Sequence, residues 1–116
     1  MVSQIWEMSA VEALRLLKEK KLSAREVLES SISRIEEVDS ELNALPEKCF
    51  DRARKIAEWI DNNPPKVVRN LHGLPIAIKD YNDLSGVKTT YGSPLFKDNI
   101  PKDSDRTVRI LEDNGA

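Results

Sequence analysis

Apolar residues recur every three or four positions through the first half of the chain, the spacing of one helical face. Ser9-Ala-Val-Glu12 has the pattern of a capping box, in which the serine accepts from the backbone three residues on and the glutamate reaches back. Leu14 and Leu17 follow as part of an apolar face. A second box is written at Ser23-Ala-Arg-Glu26, with Leu22 and Val27 placed as a hydrophobic staple. Leu28, Ile32, Ile35, Val38 and Leu42 then continue the stripe of a long helix. A third helix is predicted to open near Pro46-Glu47, because proline in a first turn sacrifices no hydrogen bond. Cys49, Ala53, Ile56, Ala57 and Ile60 form its stripe, and Asp61-Asn-Asn-Pro-Pro65 stops it.

After Pro65 the period changes. Val67 and Val68 read as the start of a short strand or as a linker, and Leu71-His-Gly-Leu-Pro75 as a turn-rich entry. Ile76-Ala-Ile-Lys79 reads as a short strand. From Asp80 to Lys102 glycines and prolines break any regular pattern, and a loop of that length more often serves function than not. Ser104 or Asp103 is placed to cap a last helix carrying Val108 and Leu111, which Asn114-Gly115 closes. The chain thus divides into a helical region, 1–65, and a strand, loop and helix, 66–116.

Composition removes several function classes. Charged residues make up 33% of the 116 positions and hydrophobic ones 40%, with a net charge of -2 spread along the chain. Neither a basic stripe nor interleaved aromatics are present to follow a phosphate backbone, so no nucleic acid is expected as partner. Cys49 is the single cysteine and reads as a small buried apolar group. His72 is the single histidine, which excludes an imidazole-built metal cluster, and no cofactor is expected. Met1–Met8 contains Glu7 and no long apolar run, so no leader is read there; nor does any stretch approach the ~20 apolar residues of a membrane span. A cytoplasmic, reduced setting follows.

Lys79 is the residue with chemical promise. Side chains alternate along a strand, so Ile76 and Ile78 would anchor one face while Ala77 leaves room beside Lys79 on the other. A lysine at the end of a buried strand loses solvation, which disfavours its charged form and makes the amine a base or nucleophile. The alternative is a lysine that ends a strand and reaches into solvent. Asp80 beside it has the ordinary role of a turn residue that binds backbone amides.

The wider segment resembles the block that opens the catalytic core of the amidase signature family. The resemblance runs through Gly73, Leu74, Pro75, Ile76, Ala77, Ile78, Lys79 and Asp80, then Gly86, then Thr89-Thr-Tyr-Gly-Ser93. Asp103, Asp105, Val108, Leu111 and Gly115-Ala116 resemble the family's next element, and Leu22-Ser23 and Leu42-Asn43-Ala44 its N-terminal helices. The resemblance implies an α/β fold: N-terminal helices, then the first strand or strands and a helix of a mixed sheet, truncated. It implies that Lys79 is the catalytic base of a serine, cis-serine, lysine triad that hydrolyses a carbon–nitrogen amide bond. In that chemistry a desolvated lysine, relayed through a second hydroxyl, deprotonates the nucleophilic serine, and backbone N–H groups hold the oxyanion.

The family's two serines lie in glycine-serine-rich motifs for which this chain has no counterpart. Ser93 belongs to the threonine-glycine-serine loop and Ser85 to the turn before Gly86, so neither is promoted to nucleophile. The expected partner of the complete enzyme is a small-molecule amide, and the chain alone is expected to be inactive. With one short strand and no sheet, Ile76 and Ile78 would be partly uncovered, inviting a homo-oligomer through the strand edge or the helices. Two alternatives stay open: a short non-catalytic binding or assembly module derived from the amidase fold, and a Schiff-base enzyme acting through Lys79.

Overall fold

A computed structural model describes residues 4–116. Met1–Ser3, the beginning of the stretch read as carrying no leader, lie outside the described residues. Among the described residues there are four helices, α1 (Ala10–Lys18), α2 (Ala24–Leu42), α3 (Phe50–Asn62) and α4 (Arg106–Asp113), with short 3-10 turns at Ile5–Glu7 and Pro94–Phe96. The chain forms two compact units, the described part of Met1–Pro75 together with Asn114–Ala116, and Ile76–Asp113.

In the first unit the helices begin where their caps are written. Ser9 Oγ accepts from the Glu12 N–H at 3.2 Å. The Glu12 carboxylate turns forward to Arg15 instead of back, so only half of this box forms. At α2 the box is complete: the Glu26 N–H donates to Ser23 Oγ at 3.1 Å, and the Ser23 N–H donates to Glu26 Oε2 at 2.8 Å. The two donors still free at that terminus, the N–H groups of Ala24 and Arg25, are taken by the two carboxylate oxygens of Asp61 at 2.8 and 3.0 Å. Asp61 lies near the end of α3, so α3 runs antiparallel to α2.

Leu17, Ala24, Val27, Leu28, Ile32 and Ala57 form the buried core, and Leu22, Phe50, Ala53 and Ile60 pack against it. The staple residues Leu22 and Val27 therefore belong to one cluster. Ile32 is 2% exposed, whereas Leu42 at the far end of the same stripe is 67% exposed. The reason is length: α2 has 19 residues and α3 only 13, and α3 lies against the first half of α2.

The third helix starts at Phe50, later than Pro46-Glu47 had suggested. After the left-handed C-cap residue Asn43, the N–H groups of Ala44 and Leu45 turn back onto Asp39 Oδ1 at 2.8 and 3.2 Å. Lys48 Nζ reaches the other oxygen at 2.9 Å, so a buried carboxylate organises the turn and delays the helix. Lys48 and these two amides, in that order, hold the Asp39 carboxyl below its ordinary value.

The α/β expectation is corrected here. No strand is present among the described residues, either at Ile76–Lys79 or at Val67–Val68. A strand exists only where another backbone pairs with it, and no backbone hydrogen bond links the Ile76–Lys79 N–H groups to a described carbonyl. Ile76 is 39% exposed, so water takes the place of a neighbouring strand.

The second unit is a loop knitted to the start of α4. The Gly86 N–H donates to the Pro101 carbonyl at 2.9 Å and the Thr89 N–H to the Asn99 carbonyl at 3.0 Å. Asn99 Nδ2 returns a bond to the Thr89 carbonyl at 2.8 Å, around a Thr89 that is 2% exposed. Ser104, expected as a cap, accepts from the Ser85 N–H at 2.9 Å instead. Val108 is the buried residue of α4. No helix among the described residues is long and apolar enough to cross a membrane.

Candidate active site

Lys79 sits at the head of the second unit, and its surroundings come from two short stretches, residues 79–83 and 89–93. Its side chain is exposed, which corrects the expectation of a desolvated amine. The physical reason is the missing pairing: among the described residues no sheet covers the end of the Ile76–Lys79 segment to strip water from it. The ammonium lies 5.4 Å from the centroid of the Tyr81 ring, a cation–π distance.

The backbone on the C-terminal side of Lys79 is far better fixed than its side chain. The Asn82 N–H donates to the Lys79 carbonyl at 2.9 Å, and the Tyr91 N–H donates to the Asp80 carbonyl at 2.9 Å. Asp80 Oδ1 accepts from the Thr90 N–H at 2.8 Å, and Oδ2 accepts from the Thr90 hydroxyl. These bonds, the Thr90 hydroxyl first, hold the Asp80 carboxyl below its ordinary range, with the Lys79 charge adding to them. Asp80 is thus a turn residue, as its type suggested, but its partner lies ten positions away.

Tyr91 adopts φ +53°, in the left-handed region that a bulky residue enters only at a cost. Three contacts hold it there: the N–H bond to Asp80, the hydroxyl donating to Asp83, and the ring set edge-on to Phe96 at 5.1 Å. The bond to the Asp83 carboxylate pushes the Tyr91 hydroxyl pKa up. Asp105 completes the frame, accepting from the Asp83 N–H at 3.0 Å and from Asn82 Nδ2 at 3.3 Å. Nothing in sequence spacing singled out Asp105 or Asn82 for this role.

Of the other residues weighed from sequence, Ser93 shares the 89–93 stretch, and none makes a side-chain bond to Lys79 among the described residues. Ser85 and Ser93 are engaged in loop bonds, Ser85 Oγ donating to the Lys102 carbonyl at 2.7 Å and Ser93 Oγ accepting from the Leu95 N–H at 3.3 Å. Cys49 is partly buried, at the start of α3. His72 lines a groove of about 310 Å³ within the first unit, together with Arg15, Lys18 and Arg69. Among the described residues no group of histidine, cysteine or carboxylate side chains is arranged to hold a metal ion.

Comparison with known proteins places this arrangement. The chain is 36% identical over 99 residues to a glutamyl-tRNA(Gln) amidotransferase subunit of Anaeromyxobacter dehalogenans, covering 84% of itself and 20% of that protein. It is 31% identical to an amidase of Pseudomonas putida, covering 99% of itself and 25% of the relative. A bacterial aryl acylamidase of the amidase signature family superposes with a TM-score of 0.87 at 30% identity, over 98% of this chain and 24% of the other. The chain spans about a fifth to a quarter of the length of these relatives. The family model for amidases matches residues 26–116, which include every residue around Lys79, and the chain belongs to the amidase signature family.

Proposed function

We propose that this chain supplies the general-base lysine, Lys79, to an amidase that cleaves a carbon–nitrogen amide bond, the serine pair coming from amidase sequence outside the matched quarter. The observation that carries this reading is the physical joining of the two motifs: Asp80, next to Lys79, is bonded through both carboxylate oxygens to Thr90 of the Thr89–Ser93 stretch. A base must stand within hydrogen-bond reach of the hydroxyl it deprotonates, in a site from which water is excluded. The remainder of an amidase would therefore have to cover Lys79, and the chain alone hydrolyses nothing.

The test is a chimera in which this chain replaces the matched quarter of the Pseudomonas putida amidase. The chimera is expected to hydrolyse a simple aromatic amide, and Lys79→Met within it to lose at least a hundredfold in kcat. Undiminished turnover in the Lys79→Met chimera, or hydrolysis by the isolated chain, defeats the reading.

A second reading, a non-catalytic assembly module, draws support from uncovered apolar side chains in the second unit, where Leu95 is 89% and Ile100 60% exposed. Sedimentation separates the two: this reading requires a stable oligomer of the isolated chain, and a monomer at micromolar concentration removes it.

A further inference from the structure

Two consecutive carbonyls on the C-terminal side of Lys79 are each held by a backbone donor. Asn82 holds that of Lys79 itself, and Tyr91 that of Asp80. The side chain of Asp80 adds two more bonds to the same remote stretch, both from Thr90. A carboxylate accepting from an N–H and an O–H makes charge-assisted bonds, stronger than those between neutral groups. The far side of the link is itself rigid. Tyr91 is held in the left-handed region by its bond to Asp83 and its edge contact with Phe96. Strain of this kind persists only where the surroundings over-determine it, and it gathers at functional sites.

The consequence falls on Lys79. Its main chain is held from the C-terminal side, while its side chain is exposed and, among the described residues, lies over the Tyr81 ring. A long side chain on a loose root would sweep a wide volume; on a fixed root it sweeps only its rotamers. Proton transfer requires donor and acceptor within hydrogen-bond reach, and a misplacement of about 1 Å can cost on the order of a hundredfold in rate. We propose that Asp80 is the positioning residue of Lys79, tying the peptide that carries the amine to Thr90 and Tyr91 so that the amine is presented from one place. This rests on the reading of Lys79 as the base.

NMR of the intact chain tests the proposal without any hydrolysis step. In the wild type, the backbone amides of Lys79–Tyr81 should show the heteronuclear NOE of ordered structure. The Lys79 methylene protons should carry a ring-current shift from Tyr81 that those of the exposed Lys20 and Lys102, with no aromatic residue within four positions, lack. Asp80→Asn should speed amide hydrogen exchange at Thr90 and Tyr91 about tenfold. It should also collapse the Lys79 ring-current shift toward the values of Lys20 and Lys102.

Thr90→Val, which deletes one of the bonds, should move both readouts in the same direction by less, and Thr90→Ser should restore them. The Thr90 pair decides the matter should Asp80→Asn unfold the second unit. A flexible Lys79 in the wild type overturns the proposal outright. So does faster exchange at Thr90 with an unmoved Lys79 signal, which would make Asp80 a loop fastener and nothing more. An active Lys79→Met chimera would instead defeat the base assignment and leave the tether standing, so the two failures are told apart.

Discussion

Glu29 of α2 and Arg54 of α3 meet through two parallel N–H···O bonds, Arg54 Nε to Glu29 Oε1 at 2.8 Å and a terminal nitrogen to Oε2 at 3.0 Å. Arg25, one turn earlier on α2, adds a third at 2.7 Å. The fork of the guanidinium matches the planar carboxylate, so the pair fixes orientation as well as contact between the helices. Arg54 first, then Arg25, holds the Glu29 carboxyl down to about 2.

That depression sets a pH dependence. Unfolded, Glu29 titrates near its ordinary value of 4.5; folded, it does so near 2. Between those values the unfolded chain binds more protons, so stability rises with pH. The contribution is present above 4.5 and disappears as pH falls toward 2. Urea midpoints at pH 7, 4 and 2.5 should fall steeply for the wild type and less for Arg54→Gln. Equal slopes in the two proteins would show that the pair contributes nothing on folding, the outcome solvent screening produces for many exposed ion pairs.

Asp61 is expected to matter more than an ordinary surface aspartate. Its two oxygens take the Ala24 and Arg25 N–H groups that the Ser23 box leaves unpaired. Loss of a helix cap costs about 0.5–2 kcal/mol, and Asp61→Ala removes two such bonds at once. Urea unfolding should show a loss of about 1–2 kcal/mol, while Asp51→Ala, at the opposite end of α3, should stay within about 0.5 kcal/mol. A silent Asp61→Ala would mean that water replaces it freely.

The same pair of caps shows what the amino-acid order could reveal. Ser23 and Glu26 are three residues apart, so their reciprocal bonds are a local fact and visible in the sequence. Asp61 closes on Ala24 from 37 residues away, and only the packing of α3 on α2 brings it there. Asp80 falls between the two cases, since its type announces a turn but Thr90 cannot be identified as its partner by spacing alone. Ile76–Lys79 failed for a different reason: β-branched residues in alternation signal a willingness to pair, and pairing needs a second backbone that the described residues lack.

Gly73 and Gly86 both have left-handed backbones, at φ +72° and +75°, yet they should respond differently to alanine. A Cβ at Gly73 would stand 2.9 Å from the Cβ of Ala24, itself buried in the core, whereas one at Gly86 meets nothing within 4 Å. Gly86→Ala should therefore cost only the backbone term, about 1–2 kcal/mol. Gly73→Ala should cost that plus about 1–3 kcal/mol of overpacking. Thermal melts followed at helix wavelengths would rank them, and equal losses would mean that Ala24 yields without penalty.

Asp105 and Ser104 should hold the Lys79 loop in a separable way. The carboxylate of Asp105 accepts from the Asp83 N–H, and its own N–H donates to the Asp83 carbonyl at 2.9 Å. Ser104 Oγ accepts from the Ser85 N–H. Removing an acceptor from a partly buried amide costs about 1–3 kcal/mol, so the freed amide should exchange roughly tenfold faster or more. Asp105→Ala is expected to expose the Asp83 amide, and Ser104→Ala that of Ser85, while the Thr90 amide keeps its protection through Asp80. Amide exchange resolved by residue distinguishes this from a loop that opens as one body, in which either substitution would release Asp83, Ser85 and Thr90 together.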